Sequence, residues 1–222
     1  MNSSGFAART PHPLQRELEV KFLLPDPEAM EARLLAGAAV RLHPPQLEVN
    51  LRFDTPDRRL SREERVLRLR RDRSTRLTYK EPGPSEGALA ARREVEFEVS
   101  DAEAAQEMLE RLGYEGVVRY EKYREEWELG PTRIMLDRLP FGSFLEIEGP
   151  GQMEIQEAAR LLGLDWDHAF QGSYLSIFAY LRQTHGLSFR DLTFENFQGL
   201  PSLDLGLPDS AKYPLIGSRD GR

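Results

Sequence analysis

The feature that most constrains this chain is the strict alternation of charged and apolar residues in several short segments. In the segment Arg16–Leu24, R-E-L-E-V-K-F-L-L, the charged residues Glu17, Glu19 and Lys21 alternate with apolar ones. Successive side chains of a β-strand point to opposite faces, so this pattern predicts a strand with one ionic face and one apolar face. We therefore expect a sheet whose two faces differ in chemistry.

Strands outnumber helices along the rest of the chain. Further strands are predicted over Leu47–Asp54, Val66–Arg71, Arg76–Lys80, Arg93–Val99, Val117–Leu129, Thr132–Arg138 and Ser143–Glu148. Helices are predicted over Glu28–Ala38 with Asp26 as its cap, Ala102–Leu112 with Ser100 as its cap, Met153–Leu162 and Gln171–Thr184. Pro44-Pro45 predicts a chain break, and Glu81–Ala91 predicts a mobile loop. Because the helices fall between groups of strands, we expect an α+β domain with a largely antiparallel sheet.

Composition divides the chain into three parts. Residues 1–14 are predicted to be a flexible arm, residues 15–186 one domain, and residues 187–222 a tail that is partly ordered or disordered. Beyond Gly186 the sequence is rich in Gly, Pro, Ser and Asp, with scattered aromatic residues. Four apolar side chains of this tail are candidates for docking on the domain: Phe189, Leu192, Phe194 and Phe197.

Charge and cysteine content limit the functional classes. Lys and Arg number 30 against 37 Asp and Glu, a net charge of −7, which argues against a protein that wraps nucleic acid. The chain has no Cys, so it has neither a disulfide framework nor a thiolate metal site. No apolar run approaches the ~18–20 residues that cross a bilayer, and the start lacks the apolar core of a signal peptide. We therefore expect a cytoplasmic protein without a membrane or nucleic-acid partner.

The ionic strand faces are sorted by the sign of their charge. Acidic pairs two residues apart are Glu17/Glu19, Glu94/Glu96 and Glu146/Glu148, and basic pairs are Arg68/Arg70 and Lys122/Arg124. Like charges at this spacing stand ~7 Å apart on one face and repel each other, so they favour a ligand of opposite charge between them. Acidic pairs suit Mg²⁺ or Mn²⁺, and basic pairs suit phosphate oxygens. If the sheet closes on itself, these faces line a hydrated channel.

Ordered motifs over about 160 residues make the chain similar to the CYTH superfamily, the triphosphate tunnel metalloenzymes. The segment E-L-E-V-K (Glu17 to Lys21) fits the E-x-E-x-K pattern of that superfamily. The other pieces, in order, are F-D-T-P-D (53–57), L-R-L-R (67–70), T-Y-K (78–80), R-E-V-E (93–96), K-Y-R (122–124), L-D (136–137), G-S-F-L-E-I-E (142–148) and S-Y (173–174). The resemblance implies a closed tunnel of eight antiparallel strands with helices packed outside it, binding a triphosphate and divalent cations.

Carried onto this chain, the resemblance implies a role for each motif residue. The implied ligands of Mg²⁺ or Mn²⁺ are Glu17, Glu19, Asp137, Glu146 and Glu148. The implied catalytic residues are Lys21, Glu94 and Glu96, of which the two acids would hold metal or position water. The implied phosphate-binding residues are Lys21, Arg68, Arg70, Lys80, Lys122 and Arg124. Arg52 stands where thiamine triphosphatases of the superfamily tend to carry Tyr, which disfavours that substrate and suggests an extra phosphate contact.

Three functions stay open at this point. The leading hypothesis is metal-dependent hydrolysis of inorganic tripolyphosphate or a nucleoside triphosphate. The alternatives are a class IV-type adenylate cyclase, and a non-catalytic module that binds polyphosphate. No clear nucleobase pocket is present in the motifs; Ser173 and Tyr174 are candidates, although packing is the commoner role of such helix residues. A homodimer is also left open.

Overall fold

The computed structural model describes residues 15–83, 90–170 and 172–201, together with Leu203 and Leu205; of residues 15–17, 90 and 91 it describes the backbone. The strands are β1 (Gln15–Leu23), β2 (Val40–Asp54), β3 (Val66–Arg71), β4 (Thr75–Pro82), β5 (Ala90–Glu98), β6 (Glu115–Leu129), β7 (Thr132–Leu139) and β8 (Gly142–Gly149). The helices are α1 (Pro27–Ala36), α2 (Arg59–Arg62), α3 (Ala102–Arg111), α4 (Gln152–Leu161) and α5 (Tyr174–His185), with 3₁₀ turns at Trp166–His168 and Glu195–Phe197. The predicted arm at residues 1–14 lies outside the described residues.

All strand pairs are antiparallel, and the strand order is β1-β5-β4-β3-β2-β6-β7-β8. β1 pairs with β5 through residues 15–19 and with β8 through residues 18–23, so the order returns to its start and forms a barrel. The prediction of an α+β fold on eight antiparallel strands is confirmed.

The apolar strand faces turn outward and are covered by helices. On β1, β7 and β8 the buried residues Val20, Ile134 and Ile147 pack in one cluster with Leu34 of α1 and Ile155 of α4. A second cluster joins β2, β3 and β4 to Ala105 and Leu109 of α3. No helix in the described part of the chain is long and apolar enough to cross a bilayer.

Helix α5 and the segment after it pack beside the β7–β8 turn. Ile177 and Leu181 of α5 are fully buried in a third cluster, which also contains Tyr120 of β6 and Phe144 of β8. Leu192 bridges to Tyr120 as a parallel partner, since the Leu192 N–H donates to Arg119 O and Leu192 O accepts from Glu121 N. Residues 187–201 are therefore hydrogen-bonded to the barrel wall as well as packed on α5.

Two predictions about local chain geometry differ from the structure. Pro44-Pro45 does not break the chain: both residues lie inside β2, where the pairing with β6 shifts register between His43 and Gln46. A bulge accommodates residues that cannot donate to the strand ladder. Helix α3 is capped by the Asp101 carboxylate, which accepts from Ala104 N, and not by Ser100.

The remaining differences concern element boundaries. The four-residue helix α2 was not predicted, and α5 begins at Tyr174 with Ser173 as its cap, later than the predicted Gln171. The loop predicted over Glu81–Ala91 is shortened at both ends by β4 and β5, and its residues 84–89 lie outside the described ranges.

Candidate functional site

The ionic faces of the strands meet inside the barrel. Strand register places Glu19 and Lys21 beside Glu148 and Glu146, Lys80 beside Glu94, and Arg124 beside Asp137. The predicted site residues whose side chains are described are Glu19, Lys21, Arg52, Arg68, Arg70, Lys80, Glu94, Glu96, Lys122, Arg124, Asp137, Glu146 and Glu148. For Glu17 the backbone pairing with Arg92 is described, but its side chain lies outside the description.

Asp137 of β7 is the most heavily hydrogen-bonded acid of the interior. Its carboxylate is fully buried and accepts a two-point contact from Arg124, with Nε at 2.7 Å from Oδ1 and Nη2 at 2.6 Å from Oδ2. Oδ2 also accepts from Lys122 Nζ at 3.0 Å and from the Tyr174 hydroxyl at 2.8 Å. Charge-assisted, two-point contacts of this kind fix both partners in orientation as well as in position.

Three carboxylates, Glu19, Glu146 and Glu148, cluster on the paired strands β1 and β8, and two of them contact Lys21. The Lys21 ammonium lies 2.6 Å from Glu19 Oε1 and 3.6 Å from Glu146 Oε1, and Arg124 Nη2 lies 2.9 Å from Glu146 Oε2. Burial and the charges of Glu146 and Glu19 raise the pKa of Glu148. Although burial acts in the opposite direction, Lys21 and a hydrogen bond with Glu146 lower the pKa of Glu19. Glu148 is therefore the acid with the least compensation from cations in this cluster.

The chemistry of this cluster fits a hard divalent cation. Mg²⁺ and Mn²⁺ take carboxylate oxygens, and a cation would relieve the mutual repulsion that Glu148 experiences from Glu146 and Glu19. In the described residues no three acidic or histidine side chains are already arranged around a common metal position. The Lys21 ammonium instead lies between Glu19 and Glu146.

On the opposite side of the interior, an unpredicted acid holds two predicted phosphate-binding residues. Glu48 of β2 is buried, accepts from the Asn50 amide at 2.9 Å, and lies 3.5 Å from Lys122 Nζ and 3.7 Å from Arg70 Nε. Despite burial, which acts to raise it, the pKa of Glu48 is held well below its ordinary value by Lys122 and Arg70. The Glu48 carboxylate is therefore charged and is part of the interior's electrostatic balance.

The predicted catalytic acids of β5 both lie against cations. Glu94 forms an ion pair with Lys80, its direct partner on β4. Glu96 accepts from the Thr78 hydroxyl at 2.6 Å and lies 3.9 Å from Arg68 Nη2. The third predicted catalytic residue, Lys21, lies in the carboxylate cluster on β1 and β8. The structure thus brings cations and acids of all three predicted classes into one interior.

Three arginines of β2 and β3 each have a buried Nε donor that makes no hydrogen bond to any described residue, although Arg70 Nε lies 3.7 Å from the Glu48 carboxylate. Among the described residues, the Nε atoms of Arg52, Arg68 and Arg70 are buried and make no hydrogen bond. Arg52 pairs across the strands with Arg68, and burial together with repulsion by Arg68 and Arg92 lowers the pKa of Arg52. Buried donors are normally satisfied, so three unsatisfied guanidinium donors on adjacent strands favour an anionic ligand with several oxygens.

One sequence motif has a structural role. In F-D-T-P-D, the Asp54 carboxylate accepts from the backbone N–H groups of Thr55, Leu60 and Ser61 and from the Ser61 hydroxyl. These bonds hold the turn between β2 and α2, where Arg58 adopts a left-handed backbone conformation. The motif therefore shapes the chain next to the ionic interior instead of contributing a charge to it.

The interior residues that the sequence analysis missed are Glu48, Asn50 and Tyr120. Tyr120 accepts a hydrogen bond at 3.4 Å from Arg68 Nη1, and it lies directly opposite Asn50 in the β2–β6 pair. The alternation that includes Glu48, Asn50 and Arg52 in L-E-V-N-L-R is visible in the sequence and predicts one shared face. Tyr174, an open candidate, extends its hydroxyl into the same interior.

A family model described as "CYTH domain" matches residues 15–163. A search of the curated proteins gives no match for this chain. The chain is similar in structure to the protein PH1819 of Pyrococcus horikoshii, with 28% identity, a TM-score of 0.62, and coverage of 75% of this chain and 99% of that one. All the charged residues described above, from Glu19 to Glu148, fall inside the matched range.

Two further solved structures share the fold. One is a Vibrio parahaemolyticus protein described as a candidate adenylate cyclase, with 24% identity, a TM-score of 0.66, and coverage of 74% of this chain and 98% of that one. The other is the Hippeastrum protein HpAC1, a candidate adenylyl cyclase described as having a dominant triphosphatase activity. It shows 18% identity, a TM-score of 0.56, and coverage of 74% of this chain and 95% of that one.

Proposed function

Because the chain belongs to the CYTH domain family, we propose that its barrel interior is a tunnel that binds a linear triphosphate and hydrolyses it with the help of a divalent cation. The substrate is inorganic tripolyphosphate or a nucleoside triphosphate. The observation that carries the proposal is the set of buried, unsatisfied guanidinium donors of Arg52, Arg68 and Arg70 on adjacent strands.

Three neighbouring strands supply most of the cations that would bind phosphate. Arg52, Arg68 and Arg70 supply donors from β2 and β3, and Lys122 and Arg124 supply them from β6. Phosphoryl transfer depends mainly on positioning and on neutralising charge, so a rigid array of cations is the central requirement. Asp137 and Glu48 keep Lys122 and Arg124 in fixed positions before the substrate binds.

Glu17, Glu19, Glu146 and Glu148 are the residues that would hold Mg²⁺ or Mn²⁺. Asp137, the fifth predicted ligand, contacts Arg124, and the same arginine also contacts Glu146, so Asp137 would act on the metal site by fixing Arg124. A cation there would neutralise phosphate charge and make the attacking water more acidic. Lys21 lies between Glu19 and Glu146. With a triphosphate bound, its ammonium would contact these two carboxylates or the terminal phosphate. Glu94 and Glu96 would orient Lys80, Arg68 and water at the other wall.

The experiment that tests this function is an incubation of the purified chain with tripolyphosphate, ATP and thiamine triphosphate, with Mg²⁺ or Mn²⁺ and with a chelator. We expect orthophosphate from tripolyphosphate or ATP, and none with the chelator. Cyclic AMP with pyrophosphate, from ATP alone, would instead identify an adenylate cyclase. Tight tripolyphosphate binding that survives the chelator, without turnover of any substrate, would identify a non-catalytic binding module.

A further inference from the structure

The Tyr174 ring lies near two ammonium groups that come from different strands of the interior. Its ring centroid lies 5.7 Å from Lys21 Nζ on β1 and 5.3 Å from Lys122 Nζ on β6. Its hydroxyl donates to Asp137 Oδ2 at 2.8 Å and lies 3.5 Å from Glu146 Oε2. One side chain therefore contacts four charged groups carried by four strands.

The Tyr174 hydroxyl acts as a neutral donor in this network. On Asp137 Oδ2 it shares the acceptor with Lys122, whose ammonium lies at 3.0 Å. A neutral donor on that oxygen satisfies Asp137 without adding positive charge, so part of the Lys122 charge stays available to an anion.

The ring keeps the two lysines apart. An ammonium within about 6 Å of an aromatic centroid is attracted to the ring, by ~0.5–1 kcal/mol or more when desolvated. Lys21 and Lys122 are both buried, and each has a nearer carboxylate partner as well: Glu19 and Asp137. Two like charges that share one ring are held at a set separation instead of moving freely among the acids.

The backbone around Tyr174 is firmly anchored. Ser173 caps α5 through its hydroxyl, which accepts from Ser176 N, so Tyr174 is the first residue of the helix. Ile177 and Leu181, one and two turns later, are fully buried, and Leu192 packs in the same cluster while bonded to β6. The tyrosine is thus held from outside the interior that it enters.

We propose that Tyr174 is a positioning residue, which spaces Lys21 and Lys122 on its ring and orients Asp137 through its hydroxyl, so that both lysines meet a phosphate chain in a fixed geometry. This inference rests on the proposed function, because the lysines need a phosphate chain to bind. The contacts that Tyr174 makes do not depend on that function.

Lysine-selective isotope labelling tests the contacts without any substrate. The chain has only four lysines, Lys21, Lys80, Lys122 and Lys212, so ¹³C-lysine labelling gives four ε-methylene signals. In Tyr174→Leu we expect the Lys21 and Lys122 signals to lose their ring-current shifts while Lys80 stays unchanged. The control Tyr123→Phe, on the exposed outer side of β6 against Phe194, should move none of the three. Unmoved Lys21 and Lys122 signals in Tyr174→Leu would overturn the proposal.

Steady-state kinetics with tripolyphosphate test the purpose. Tyr174→Phe keeps the ring and removes the hydrogen bond to Asp137, so we expect KM to rise about 3–10-fold with kcat nearly unchanged, in protein that is fully folded at the assay temperature. The positioning role is overturned if Tyr174→Phe has the parent's KM, or if a smaller fraction of folded protein fully accounts for its lower activity. If the parent itself turns over no triphosphate, the proposed function fails, whereas the labelling result still decides whether Tyr174 spaces the lysines.

Discussion

The Glu48 carboxylate lies 3.5 Å from the Lys122 ammonium, and the two residues are direct partners across the β2–β6 pair. Their side chains are 1% and 5% exposed, so both charges are held away from water. Removing one member of a buried ion pair leaves the other uncompensated, which makes such a pair a sensitive probe of the interior.

Glu48→Gln should destabilise the fold in a pH-dependent way. The pKa of Glu48 lies well below its ordinary 4.5, so the carboxylate favours the folded state at all pH values above 4.5, and this contribution is lost as the pH falls through the folded-state pKa. At pH 7 we expect a loss of about 1–3 kcal/mol, less than the full cost of an orphaned charge because Lys122 keeps Asp137. Urea unfolding at pH 7 and at decreasing pH below 4.5 measures it. If the difference in unfolding free energy between the parent and Glu48→Gln grows as the pH falls, Glu48 does not have a lowered pKa in the folded state.

Glu19→Gln should impair catalysis far more than its loss of the ion pair with Lys21 destabilises the fold. If Glu19 helps to hold the metal, loss of its charge should lower kcat at least 10²-fold, equivalent to about 2.7 kcal/mol, and Glu17→Gln should do the same. The matched control is Glu98→Gln, an exposed acid on β5 that shares the face of Glu94 and Glu96. Initial rates at saturating Mg²⁺ or Mn²⁺ decide the matter. Equal effects at Glu19 and Glu98 would refute a specific metal site.

Arg124→Lys should weaken substrate binding although it keeps the charge. Arg124 contacts both oxygens of Asp137 and also Glu146, a geometry that an ammonium cannot reproduce. We expect kcat/KM for tripolyphosphate to fall roughly 10–100-fold, in line with about 1.5–3 kcal/mol for a hydrogen bond to a charged group. Arg160→Lys, which changes an exposed arginine paired with Glu157 on α4, serves as the control and should match the parent.

Leu192→Ala should show that the segment after α5 is part of the fold. Leu192 is fully buried against α5 and β6, so the variant should lose about 2–5 kcal/mol of stability. Leu200→Ala, at a position that is 37% exposed, should lose less than about 1 kcal/mol. Thermal unfolding of both variants and the parent gives the comparison, and a parent-like midpoint for Leu192→Ala would mean that Leu192 adds nothing to the fold.

The period-two alternation made the strands predictable, because a strand with one ionic and one apolar face has few other solutions. Arg68 and Arg70, for example, share a face in the sequence and in the barrel. Local chemistry was less decisive where two residues compete for one role. Ser100 and Asp101 are both good caps, and only the backbone at the start of α3 selects Asp101. Pro44-Pro45 is a strong breaker in isolation, but pairing with β6 on both sides keeps the strand intact.

The candidate site was predictable in its charges but less so in their partners. Glu48 belongs to no motif. It contributes to the site because it lies opposite Lys122, and the β2–β6 register that sets this pairing cannot be read from either strand's sequence alone. Tyr174 enters the interior from a helix that follows the matched family range. Its distance from Asp137 depends on how α5 packs on the barrel, which no local pattern encodes.

The pairing of β1 with β8 has a consequence for synthesis of the chain. Leu23 pairs with Phe144, so the edge of the first strand waits for about 120 residues to be made, roughly 6–24 s at 5–20 residues per second. During that interval β1 presents an open strand edge, which is a template for association with other chains. The yield of folded protein should therefore fall when synthesis is slowed between β1 and β8.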